Sequence, residues 1–220
     1  MVPSDPRRPT GASSWFFLGA VYLALEAYLW WVVPTRNSLL IAIGAIVILV
    51  VMIGDPIRRG ESAESVGLGF THLPRALALL VPMTLAGMLA LYAIGRWAGA
   101  APPAPARVGK HFLVILPWAL LQQGMLQATF NRRISAGLGP GWAAAVLVAL
   151  AFGGMHLPGL VLVALTVLAG LGWARVYQVA PNLWALILSH ALLSATAQNT
   201  LPGAWTHGFR VGPGWFRWHP

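Results

Sequence analysis

"LLQQGMLQATFNRR", residues 120–133, sets two adjacent glutamines, Gln122 and Gln123, inside an apolar stretch and adds Gln127 four residues after Gln123. A carboxamide is costly to bury in an apolar setting unless it is hydrogen-bonded. Four-residue spacing puts Gln123 and Gln127 on one helix face, and Asn131 extends that face toward the helix end. Pro117, one turn earlier, leaves the carbonyl of Leu113 without its helical partner. Freed backbone at membrane depth is tolerated where it is buried in protein or lines a wet cavity. The stretch therefore predicts a helix whose polar face is turned away from lipid.

The rest of the chain defines its solvent. Of 220 residues, 58% are hydrophobic and 9% charged, against about a quarter charged in soluble domains. Apolar runs recur at residues 15–33, 39–53, 76–94, 112–130, 142–155, 160–173 and 183–197. Several approach the ~20 residues that cross a bilayer core. The second, fifth, sixth and seventh are shorter and must lean on flanking residues or cross only in part. None carries the charged face of a water-soluble helix. The fold class is all-α, a polytopic membrane helix bundle of about seven transmembrane helices. The first run is too long for the apolar region of a signal peptide, and no small-x-small cleavage site follows it. With no cysteine there is neither a disulfide framework nor thiolate chemistry.

The net charge of +9 is distributed between the apolar runs, which points to membrane lipids and topology and away from nucleic acid. Seven spans put Arg7, Arg8, Arg58, Arg59, Arg75, Arg132, Arg133 and Arg175 on one side. Arg36, Arg96, Arg107, Lys110, Arg210 and Arg217 fall on the other. This bias predicts a multi-pass protein with a cytoplasmic N-terminus in a bacterial-type plasma membrane.

Along the chain, residues 1–14 read as a disordered N-terminus and 15–98 as the N-terminal transmembrane helices. Within the latter, "GDPIRRGESAESVGLGFTHLPR" (residues 54–75) reads as a surface loop with a short interfacial helix before Leu77. Residues 99–110 form a Pro/Ala linker, 111–200 a helical core, and 201–220 an aromatic and basic interfacial tail.

Within the apolar runs the conspicuous polar groups are Glu26, Gln122, Gln123, Gln127, His156, His190 and Ser194. Phe152 and His156 lie four apart on a Gly-rich stretch ended by Pro158, and His190, Ser194 and Gln198 follow the same spacing. Singly, such residues commonly act as interhelical hydrogen-bond glue worth about 0.6–2 kcal/mol each. Three helices each presenting a polar stripe point instead to one shared intramembrane site.

Residues 122–194 resemble the CPBP family, the intramembrane proteases related to CAAX prenyl endopeptidases and bacteriocin-processing proteins. Its motifs E-E-x-x-x-R, F-x-x-x-H and H-x-x-x-N are matched in order by "QQGMLQ" (residues 122–127), "FGGMH" (152–156) and "HALLS" (190–194). "VGLGFTHLPRALALL" is similar to the Leu-Gly-Leu segment that often precedes the core. The resemblance implies that Gln122, Gln123, His156, His190 and Ser194 occupy catalytic positions, with Gln127 and Phe152 as binding positions. In the family a first-motif glutamate activates water with help from the histidines, and the Asn holds the oxyanion. An older reading makes the same residues metal ligands.

The departures are coordinated. Both glutamates are Gln, the arginine is Gln127, and the Asn is Ser194. A neutral carboxamide is a very poor proton acceptor and a poor metal ligand beside a carboxylate. Gln127 in place of the arginine fits the loss of its acidic partners, because an unpaired cation is expensive in a membrane. The expected function is a catalytically impaired CPBP-like protein that binds a hydrophobic helix, a lipidated client peptide or an isoprenoid-type chain, with no cofactor. One alternative is an active endopeptidase using Glu26 or a histidine-bound metal. A second is a cofactor binder or transporter built on His156 and His190. Glu26, in the N-terminal half, is expected not to reach the site.

Overall fold

The computed structural model describes residues 11–219, and all their regular structure is helical. Helix α1 (Gly11–Ala27) runs on through a π-helical turn, Tyr28–Val32, and a 3-10 turn, Val33–Thr35. α2 (Ser38–Arg58) follows, capped by Asn37, whose side-chain oxygen accepts from the N–H groups of Leu39 and Leu40 at 3.0 and 3.2 Å. Then come α3 (Leu73–Trp97), α4 (Pro105–Gln123), a π-helical stretch Gly124–Asn131, α5 (Arg132–Leu138), α6 (Trp142–Gly154), α7 (Leu160–Val179) and α8 (Leu183–Thr200). Two short helices, α9 (Gly203–Thr206) and α10 (Pro213–Phe216), end the described chain.

Five helical spans are long and apolar enough to cross a bilayer: Ala12–Thr35, Ser38–Arg58, Leu73–Trp97, Pro105–Leu138 and Leu160–Val179. The expected count of seven is not reached on this measure, for two reasons. α6 has 13 residues, and α8 carries Ser189, His190, Ser194, Gln198 and Asn199 among its 18. The polarity of α8 follows from its place at the centre, where α3 and α4 pack along it, while α6 packs along α7. α2 is the opposite case: Leu39, Ile43, Ile46, Val50 and Ile53 are exposed, which suits a lipid-facing helix.

Several boundaries differ from those read in the sequence. α1 begins at Gly11, so residues 11–14 of the expected disordered N-terminus are helical, and the remainder lies outside the described residues. α4 begins at Pro105, so the linker is shorter than 99–110; proline opens a helix at no hydrogen-bonding loss because its missing N–H falls among the free ones. No separate interfacial helix precedes Leu77, because α3 already starts at Leu73.

The 59–72 loop is fastened to the rest of the protein. Leu183 N–H donates to Gly67 O at 2.8 Å, Tyr177 Oη to Val66 O at 3.0 Å, and Asn182 Nδ2 to Gly69 O at 2.8 Å. Gly67 takes φ of +87°, and a Cβ there would sit 3.0 Å from the Asn182 backbone nitrogen, so the approach requires glycine. The tail also folds back. Gly212 N–H donates to Leu157 O at 2.8 Å, and His207 stacks on Trp215 with centroids 3.9 Å apart.

Candidate functional site: an intramembrane cavity beside an amide ladder

The run of Gln123, Gln127 and Asn131 spans a change of helix type. In an α-helix, residues four apart drift by about 40° around the axis, since each residue turns about 100°. The wider π winding over Gly124–Asn131 turns each residue by less, which carries residues four apart back through alignment to a similar small offset of the opposite hand, so the amides stay on one face. The three amides therefore stack along it. Gln127 Nε2 donates to Gln123 Oε1 at 3.2 Å, and Asn131 Nδ2 donates to Gln127 Oε1 at 2.7 Å and to Ala174 O at 3.0 Å. Ser135 Oγ and Gln178 Nε2 both donate to Asn131 Oδ1 at 3.1 Å. At the other end Gln123 Nε2 lies 3.0 Å from His190 Nδ1. Gln123 and Gln127 are 0% exposed, so every one of these polar groups needs its partner.

His190 is gripped on its faces as well as at Nδ1. It stacks on Trp173 at 4.8 Å with a 15° interplanar angle, and the Phe152 ring meets it edge-on at 5.8 Å. Trp173 is itself fixed, donating Nε1–H to Ser189 Oγ at 3.0 Å, and Ser189 Oγ is 2.7 Å from Thr84 Oγ1. His156, just beyond α6, turns its Nδ1 back to Phe152 O at 2.8 Å, with its ring against the Phe152 edge at 4.9 Å. Phe152 thus supports both imidazoles from one position.

The imidazoles open on a cavity of about 620 Å³. Gln122, Ser194, Thr166 and Gln198 join them as its polar lining. The remainder is aliphatic or aromatic, Tyr28, Trp118 and Trp173 among it, and no Asp, Glu, Lys or Arg among the described residues lines it. The tail contributes Phe209 and Val211, so it is part of the cavity wall as well as an interfacial segment.

The expected site residues therefore divide in two. Gln122, Phe152, His156, His190 and Ser194 line one cavity. Gln123 and Gln127 do not; both are sealed in the ladder behind His190. Gln127 supports Gln123 and has no surface for a ligand. Glu26 stays outside, its Oε2 accepting from Trp30 Nε1 at 3.1 Å. Trp173, Ser189 and Gln178 are supports that the sequence pattern does not single out. Among the described residues no group of three or more His, Cys, Asp or Glu side chains is placed to hold a metal. Two imidazoles beside carboxamides are a weak donor set for the metal of the older family reading.

A charged cluster closes the far end of the ladder helix. Arg133 grips Asp55 with Nε and Nη2, donates Nη1 to Ser14 Oγ at 3.1 Å, and lies over the Phe17 ring at 4.1 Å. Arg59 pairs with Asp55 at 3.1 Å and with Glu61 at 3.0 Å. Burial pulls the Arg59 guanidinium below its ordinary range, and the neighbouring carboxylates oppose that shift. No curated protein and no solved structure matches the chain. Residues 119–196, which carry the glutamine pair, both histidines and Ser194, match the family model described as type II CAAX prenyl endopeptidase Rce1-like, the CPBP family whose motifs they resemble.

Proposed function

We propose that this protein is a catalytically impaired relative of the CAAX-type intramembrane proteases. It holds a hydrophobic or lipidated client, or an isoprenoid-type chain, in its cavity without cutting it, and it needs no cofactor. Its seven longest helices lie in a bacterial-type plasma membrane with the N-terminus cytoplasmic. The orientation is supported by the gathering of Arg59, Arg132 and Arg133 at one end of the bundle around Asp55 and Glu61.

One observation carries the reading. At the two positions where the family places its water-activating carboxylates stand amides, and one of them is spent. Gln123 gives its oxygen to Gln127 and its nitrogen to His190. Gln122 faces the cavity but is a neutral amide, and among the described residues no acid lines that cavity to take a proton from water.

The test is proteolysis of a prenylated, membrane-embedded peptide library in liposomes. The unmodified protein is expected to release no product. Gln122→Glu with Gln123→Glu is expected to remain inactive, because buried carboxylates without a cation take up protons and stay neutral. Adding Gln127→Arg and Ser194→Asn puts a cation beside the new carboxylate at position 123 and an amide donor at the cavity, and this variant is expected to be the first to cleave. Robust turnover by the unmodified protein, abolished by His156→Ala, overturns the proposal.

A further inference from the structure

The polarity of the amide ladder is not free. The carbonyl of Ala174 can only accept, so the side chain of Asn131 must turn its nitrogen toward it. The same nitrogen then donates to Gln127 Oε1, which leaves Gln127 Nε2 facing Gln123 and requires Gln123 to answer with its oxygen. Gln123 Nε2 is left pointing at His190 Nδ1, and two donors cannot share that contact. His190 Nδ1 is therefore bare, and the proton of the neutral ring sits on Nε2. One backbone carbonyl on α7 sets the tautomer of a histidine on α8.

His156 has the opposite arrangement. Its Nδ1 faces the Phe152 carbonyl, another pure acceptor, so Nδ1 carries the proton and Nε2 keeps its lone pair. Both rings line the cavity, and neither Nε2 has a protein partner among the described residues. Beside the carboxamides of Gln122 and Gln198 and the hydroxyls of Ser194 and Thr166, the two imidazoles thus present a fixed donor, His190 Nε2–H, and a fixed acceptor, His156 Nε2, in a mostly apolar chamber that no formal charge among the described residues lines.

Resting on the binding reading above, we infer that the ligand of this cavity is an uncharged lipid with a hydroxyl head, a long-chain alcohol. A hydroxyl donates once and accepts, which is what the two histidines together ask for. A carboxylate or phosphate only accepts in its charged form and finds no cation here. An ammonium only donates, and finds no anion. The chamber is of the size that takes a long hydrocarbon chain or a drug-sized molecule, far larger than a single water needs. His190 also turns its protonated nitrogen to the cavity, which withholds a lone pair from any metal.

The experiment uses the full chain in lipid nanodiscs and photo-reactive hexadecanol, with the alkane, carboxylic acid and amine of the same chain and label position as comparators. Labelled residues are mapped by mass spectrometry. Hexadecanol is expected to label cavity residues about tenfold more strongly than the alkane, the equivalent of one net hydrogen bond. His156→Phe is expected to remove that preference. Histidine nitrogen NMR of the unmodified protein is expected to show His190 protonated at Nε2. In Gln123→Glu the buried acid stays protonated and still donates to Nδ1, so Nε2–H and the alcohol preference should both survive, and loss of either would overturn the inference. Equal labelling by alkane and alcohol overturns the head-group inference but leaves a hydrophobic client in the cavity. Stronger labelling by the acid or the amine, or a bare His190 Nε2 in the unmodified protein, also overturns it. Labelling of the cavity by none of the chains removes the binding reading and this inference together.

Discussion

At the scale of single residues, the ladder shows why a buried amide pair is unforgiving. Gln127 gives Gln123 a donor and Asn131 an acceptor, and both neighbours are shut off from water. Gln127→Leu keeps the volume but leaves Gln123 Oε1 and one Asn131 N–H unanswered, at about 1–3 kcal/mol for each stranded group. The expected result is a clear drop in thermal stability in detergent. Gln123→Leu combined with Gln127→Leu should cost less than the two single changes added together, because the second substitution removes a group the first had already stranded. The polar members of this site were legible in the sequence because four-residue spacing on an apolar background has few explanations. Trp173 and Ser189 were not, since a tryptophan in an apolar run looks the same whether it meets lipid or supports a histidine. The split between Gln122 and Gln123 was also hidden: adjacent residues point about 100° apart, and sequence does not say which one faces the cavity.

Among the elements, the hydrophobic runs located every long helix, because an apolar stretch between turn residues has little else to become in a membrane. Length and lipid exposure were less readable. α8 is as central as any helix yet too polar to be counted a span, and its polarity is tolerated because α3 and α4 cover it. The packing of α3 on α8 depends on Gly95. A Cβ at that position would lie 2.2 Å from the Thr200 carbonyl oxygen, and a backbone atom cannot swing aside as a side-chain tip does. Gly95→Ala should push the two helices apart and destabilise the protein by about 1–3 kcal/mol, the usual cost of overpacking. Gly19→Ala is the matched comparison: nothing lies within 4 Å of a Cβ there, and because alanine is the better helix former it should raise the melting temperature slightly. Equal melting temperatures for the two variants would show that α3 and α8 are not pressed together at this point.

Over the whole molecule, the N-terminal helices are tied to the site-bearing half by charge as well as by apolar packing. Asp55 and Glu61 belong to the stretch that read as a solvated loop, since acids beside Gly, Pro and Ser ordinarily stay in water. The arginines that bury them come from residues 132 and 133, at the end of the ladder helix and far along the chain. Because the ladder ends within one helical turn of Arg133, this clamp also holds the ladder's far end in place. Asp55 serves two cations, Arg133 and Arg59, whereas Arg133 has Asp55 as its one carboxylate partner among the described residues. The asymmetry orders the mutants. Arg133→Met leaves Asp55 still paired with Arg59 and should cost less than the roughly 3–5 kcal/mol typical of breaking a buried pair. Asp55→Leu strands Arg133 and takes one of two partners from Arg59, so it should reach or exceed that range. Because the pairs are shielded from solvent, the difference in melting temperature between the two variants should change little between low and high salt, whereas a surface pair would lose its effect. A larger loss for Arg133→Met than for Asp55→Leu would mean that the arginine's contacts with Ser14 and Phe17, and not its charge, hold the two halves together.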